Sequence, residues 1–222
     1  MICAIHQPNF FPWLGYFDKI GRADLLVFLD GVERGGAASW ISRVRLDVQG
    51  RPTWAGCPLK RASRSQLIKD VRIEDAHHWR RDLVRTLEVN YKRSPGYERA
   101  MSVIVPLIEY PSDWLVEFNT HAIVALVREL GTAGRFVRQS ELAIEGRGTA
   151  LLVALVKAVG ADTYLCGGGA AGYQEDSLFA EAGIEVAYQS FVPAPYGDPA
   201  RFIPGLSVID YLMRGEVPGW CG

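Results

Sequence analysis

The chain has 222 residues, a length that suits one domain of ordinary size, and 49% of them are apolar, so a packed core is expected and disorder is excluded. With 24 basic and 25 acidic residues the net charge is −1, which argues against DNA as a partner, because phosphate-backbone binding needs clustered Lys and Arg. The four cysteines, Cys3, Cys57, Cys166 and Cys221, stand far apart without metal-ligand spacing, and no signal peptide or run of transmembrane length is present; the expectation is a cytoplasmic protein with no metal and no membrane.

Met1 to Ile5 is a short apolar run that reads as a buried strand. The loop His6-Gln7-Pro8-Asn9 breaks it, and Pro12 to Phe17 leads into a short helix ending near Gly21. A second strand, Leu25 to Leu29, closes on Asp30. Strand, helix and strand within so few residues form a βαβ unit with parallel neighbours. Residues 31–74 read as a hairpin excursion, with strands around Trp40–Val48 and Thr53–Leu59 joined at Gln49-Gly50. Residues 75–130 read as a helical insertion, which Pro95, Pro106 and Pro111 divide into about three helices. Alternation then returns: a strand at Phe136-Val137, a helix from Thr149 to Val159 stopped by Gly160, a strand at Thr163–Leu165, a helix at Ser177–Ala182, a strand at Ile184–Tyr188 and a last helix at Ser207–Met213. The pattern predicts a single α/β domain over 1–222, a doubly wound, mostly parallel, Rossmann-like sheet interrupted by the hairpin and the helices.

Ligands of such sheets bind beyond the carboxyl ends of the strands, so the loops 6–16, 30–43 and 166–173 are where a site is expected. His6 is placed to act as a general base, or to close its strand with a backbone hydrogen bond. Gln7 and Asn9 add hydrogen-bonding groups beside it, and a buried Tyr16 hydroxyl needs a partner. Asp30 fits a carboxylate that binds substrate or orients a base, and equally a turn initiator. Arg43 and Arg45 alternate on one strand face, where either suits a carboxylate or phosphate, or simply solvent. The run Cys166-Gly167-Gly168-Gly169 to Tyr173 allows close backbone approach to an anion, with Cys166 as a nucleophile or an inert packed thiol; it matches neither a Walker loop nor GxGxxG. The local basic stretch Lys60, Arg61, Arg64 and Lys69 reads as a solvated loop, His77 and His78 as solvent-facing, and His121 as structural.

The opening Ile5-His6-Gln7-Pro8-Asn9-Phe10-Phe11-Pro12-Trp13-Leu14-Gly15-Tyr16-Phe17-Asp18-Lys19-Ile20 resembles the start of WbqC-like proteins. Ser39-Trp40-Ile41-Ser42-Arg43 is similar to that family's Trp-Ile-Asn-Arg segment, and the stretches from Ser140 to Thr149, Gly160 to Leu165 and Phe202 to Asp210 match as well. The chain departs from the family in carrying Asp30-Gly31 for Asp-Asp and Cys166-Gly167-Gly168-Gly169 for a Ser-Gly-Pro-Gly loop. The resemblance implies a biosynthetic enzyme of O-antigen or secondary metabolism that attaches an acyl or aminoacyl (glycyl-type) group to the amine of a small substrate such as an amino sugar. Amide formation from a free acid is uphill, so such a reaction needs an activated donor, namely a carrier-protein thioester, coenzyme A or a charged tRNA, with no intrinsic cofactor. The strand-end loops offer His6, Asp30 and Cys166 as catalytic candidates and Gln7, Asn9, Tyr16, Trp40, Arg43, Gly167, Gly168 and Tyr173 as substrate-binding ones. A weaker likeness to nucleotidyltransferases leaves adenylyl transfer as an alternative, and a non-catalytic partner of a biosynthetic enzyme is the third.

Overall fold

The computed structural model describes residues 1–35, 39–61, 63, 65–76, 78–168 and 174–215. Its elements in chain order are β1 (Ile2–His6), α1 (Leu14–Arg22), β2 (Leu25–Phe28), β3 (Arg43–Val48), β4 (Arg51–Gly56), α2 (Trp79–Tyr91), α3 (Tyr97–Ile108), α4 (Leu115–Glu129), β5 (Phe136–Arg138), α5 (Gln139–Leu142), α6 (Gly148–Ala158), β6 (Thr163–Gly167), α7 (Asp176–Glu181), β7 (Glu185–Gln189) and α8 (Val208–Met213). Five strands form one sheet in the order β5-β2-β1-β6-β7, every pair parallel.

Both faces of this sheet are covered, because the strands are apolar in both alternating registers. Ala4, Leu26, Phe28 and Leu165 point into a core shared with α1 to α4, α8 and the hairpin. Cys3, Ile5, Leu25, Val27, Tyr164 and Cys166 point to the opposite side, against Leu151, Leu155 and Val156 of α6 and Phe179 of α7. Continuous apolar strands of this kind are what a parallel sheet buried on both faces requires. The doubly wound α/β expectation is met, with a sheet that is wholly parallel.

β3 and β4 pair antiparallel through a two-residue turn in which Gln49 (φ +55°) and Gly50 (φ +80°) both take left-handed conformations, the geometry that matches strand twist. Asp47 Oδ1 accepts from Gly50 N at 2.7 Å and closes the turn. The helical region holds α2, α3 and α4, divided near Pro95 and Pro111. Pro106 does not divide it; it lies inside α3, two residues from the end, so the helix stops within one turn of the proline. Cys3, Cys57 and Cys166 are buried free thiols, while Cys221 lies outside the described residues. No helix among the described residues is long and apolar enough to cross a membrane.

Candidate functional site

In an open parallel sheet the crevice forms where the strand order reverses, here between β1 and β6. The loop leaving β1 is therefore the one to be held in place, and it is fastened from three directions. Asn119 on α4, 1% exposed, donates Nδ2 to Pro8 O at 2.8 Å and to Ile41 O at 2.7 Å, joining the loop to the start of the hairpin. Phe10 N donates to Trp40 O at 2.9 Å, and the Phe10 ring stacks on Phe118 with centroids 5.9 Å apart. Ser207, the cap of α8, donates Oγ to Phe11 O at 2.7 Å, and Val208 N donates to Pro12 O at 2.8 Å. Phe11 is held at φ +38°, a strained conformation that only such surroundings sustain.

His6 ends β1 with Nδ1 3.1 Å from Gln7 O, which also accepts from the Tyr16 hydroxyl at 3.0 Å. A carbonyl partner requires the proton on Nδ1, which leaves Nε2 as the acceptor. Burial, and then the positive charge of Lys19, depress the His6 pKa to about 3, so the ring is neutral at physiological pH; Tyr16 is likewise held neutral by burial. Lys19 itself is 4% exposed, and no ion pair to a carboxylate is formed by it among the described residues. Burial lowers its pKa to about 8. Its Nζ lies against the end of β6: a Cβ added to Gly167 would stand 3.1 Å from it. Glycine at 167 thus leaves room for the ammonium, and the cation sits at the switch point between His6 and Gly167.

Strand-end residues face alternate sides, so consecutive members of the first loop line different concavities. His6, Asn9, Trp13, Trp40 and Arg45 border one of about 360 Å³. Gln7 borders another of about 710 Å³, with Gly31, Glu33, Arg147, Thr149, Tyr164 and Gln174. The loops after β1 and β2 and the chain just beyond the glycine run do converge, on two hollows rather than one.

Asp30, fully buried, accepts from Ser140 N at 2.9 Å and Ser140 Oγ at 2.6 Å. Both carboxylate oxygens are thereby committed to clasping α5 against the end of β2. Cys166 is 0% exposed among Tyr164, Phe179 and α6, and burial raises its thiol pKa, so it rests as a protonated, packed group and not as a thiolate. Arg43 and Arg45 do share the outward face of the hairpin with Trp54, the Arg43 guanidinium 4.1 Å from that ring. Gly167 and Gly168 are described; Gly169 to Gly172 and Tyr173 lie outside the described residues, as do Arg64 and His77. His78 is exposed, and exposed His121 stacks on Tyr110 at 3.8 Å. Among the described residues, no three His, Cys, Asp or Glu side chains are grouped to hold a metal.

Lys19 and Asn119 are the site residues that sequence reasoning missed. Each falls within its helix's apolar stripe, Lys19 three residues after Tyr16 and Asn119 four after Leu115, and a polar residue at such a position was the available signal.

The family described as WbqC-like protein family matches residues 7–217. A protein of Mycobacterium tuberculosis, described as uncharacterized protein Rv1507c, is 26% identical over 225 residues, covering 98% of this chain and 96% of the relative. No solved structure matches the chain.

Proposed function

The chain belongs to the WbqC-like protein family, and from that premise we propose that it transfers an acyl or aminoacyl group, of glycyl type, from an activated donor to the amine of a small substrate such as an amino sugar. The observation that carries this reading is the largely buried Lys19 side chain, its ammonium beside a neutral histidine at the switch point. The amine attacks the donor's thioester or ester carbonyl, forming the C–N bond and moving the carbonyl electrons onto oxygen. Lys19 stabilises that oxyanion with a charge that the burial of its stem leaves only weakly screened. His6 Nε2 takes the proton that the attacking nitrogen loses. The C–S or C–O bond then breaks as the carbonyl re-forms, and His6 returns the proton to the departing thiol or hydroxyl. An anion beside Lys19 also relieves the repulsion that depresses His6, so the ring gains basicity when the oxyanion appears.

The test is a mass-spectrometric search for acylated amino sugar with carrier thioester, coenzyme A thioester and aminoacyl-tRNA as donors. Product with at least one donor, lost in both His6→Ala and Lys19→Met, is expected. The reading fails if none of the three donors yields product, or if both variants turn over as the parent does. Magnesium-dependent release of pyrophosphate from ATP would replace it with nucleotidyl transfer.

A further inference from the structure

Although the whole chain is nearly neutral, residues 31–74 hold nine Lys and Arg against four Asp and Glu, a local excess of five positive charges. The hairpin concentrates two of these on one face. Arg43 lies opposite Gly56 and Arg45 opposite Trp54, so both side chains leave the same side of the ribbon. Their guanidinium groups pack on tryptophan faces, Arg43 on Trp54 at 4.1 Å and Arg45 on Trp40 at 5.6 Å. Among the described residues neither is paired with a carboxylate, and the buried Nε of each has no hydrogen-bond partner. A buried guanidinium N–H without an acceptor is a costly arrangement that an external anion relieves.

The surroundings supply the rest of a binding site. Arg43, Lys60 and Arg61 line a cavity of about 700 Å³ whose lining, among the described residues, includes no acidic side chain, with Arg34 bonded to Ser63 O at its edge. Trp40 and Trp54, 4.9 Å apart between centroids and tilted 57° to each other, are 41% and 44% exposed, and Arg43 links the Trp54 ring to this cavity. Trp40 and Arg45 also border the hollow that contains His6. Fork-shaped cations next to exposed aromatic rings match phosphates attached to a base that stacks.

We propose that this hairpin face is a binding site for a nucleoside diphosphate group, the phosphates taken by Arg43, Lys60 and Arg61 and the base laid on the exposed ring of Trp54. The bound molecule's far end extends past Arg45 toward His6. That last placement rests on the transferase reading; the site itself does not. The chemistry is shared by a donor of coenzyme A type and by an acceptor sugar carried on a nucleoside diphosphate.

Calorimetric titration of the full chain with ADP, UDP, coenzyme A and inorganic pyrophosphate tests it without any turnover. Saturable binding of at least one nucleotide is expected, weakened by about tenfold in Arg43→Gln, the cost of one charged hydrogen bond. Trp54→Ala weakens the nucleotides and leaves pyrophosphate unchanged. Lys60→Gln/Arg61→Gln, on exposed positions that the fold does not need, weakens all four. Coenzyme A binding tightest marks the donor as the source; UDP or ADP binding tightest marks the acceptor. No binding by the parent protein, or binding untouched by both Arg43→Gln and the Lys60/Arg61 pair, overturns the proposal. Nucleotide binding without product formation in any transfer assay leaves this site standing and removes the transferase reading alone.

Discussion

Replacing Lys19 by methionine is expected to make the protein more stable and less active. The lysine is 4% exposed, without a counter-charge among the described residues, and its pKa falls from 10.5 to about 8. At about 1.4 kcal/mol per pKa unit, holding the charged amine in the fold costs roughly 3 kcal/mol. The sign follows from linkage. Between pH 8 and 10.5 the unfolded chain binds a proton that the folded chain does not, so stability rises with pH there; below about 8 the whole cost is present. Methionine keeps the unbranched stem and the helix propensity while removing the charge. Urea denaturation at pH 7 should therefore show Lys19→Met more stable by about 2–3 kcal/mol, with the difference shrinking toward zero as the buffer approaches pH 10.5. Transfer activity should be lost over the same range. A variant less stable than the parent at pH 7, or a stability gain that does not change with pH, would refute the reasoning, since it would mean the ammonium already has a partner.

Three further outcomes follow from the same geometry. His6, with a folded-state pKa of about 3 against the ordinary 6.5, stays neutral while the unfolded chain takes up a proton, so stability falls as pH drops through that interval; His6→Gln should flatten the pH dependence of the urea midpoint by about one proton, and an unaltered slope would contradict the assignment. Asp30→Ala and Ser140→Ala should each cost about 2 kcal/mol, and their double-mutant cycle should show strong coupling in thermal melts; additive losses would mean the 2.6 Å contact is not a clasp. Gly56→Ala should destabilise by about 1–3 kcal/mol, because the new Cβ would stand 2.2 Å from the Ser42 carbonyl oxygen, and a melting temperature equal to that of the parent would show that the hairpin yields freely.

Local pattern made the framework readable in advance. The run ending at His6, the α1 stripe and Leu25–Phe28 announce a parallel βαβ unit, and Gln49-Gly50 announces a hairpin, because each signal lies within a few neighbouring residues. The convergence of the strand-end loops was legible for the same reason. How their side chains are partnered was not, since that depends on residues far away in sequence. Asp30 is clasped by Ser140, 110 residues on, and Asn119 reaches Pro8 across 111. Cys166 next to glycines looks reactive in a linear reading, yet strand alternation turns it with Tyr164 into the α6–α7 core. Pro106 shows a milder case, where a residue that breaks helices is accommodated within the last turn of one.

The fastening of Phe11 and Pro12 by Ser207 and Val208 ties the shape of the first strand-end loop to a segment 196 residues further along the chain. During translation β1 and β2 can pair long before α8 leaves the ribosome, whereas the strained backbone at Phe11 gains its last two fastenings only when α8 packs against it. A chain cut before residue 207 is thus expected to build its sheet and leave this loop loosely held. The final shape of the switch point is set by a helix that has no part in the sheet itself.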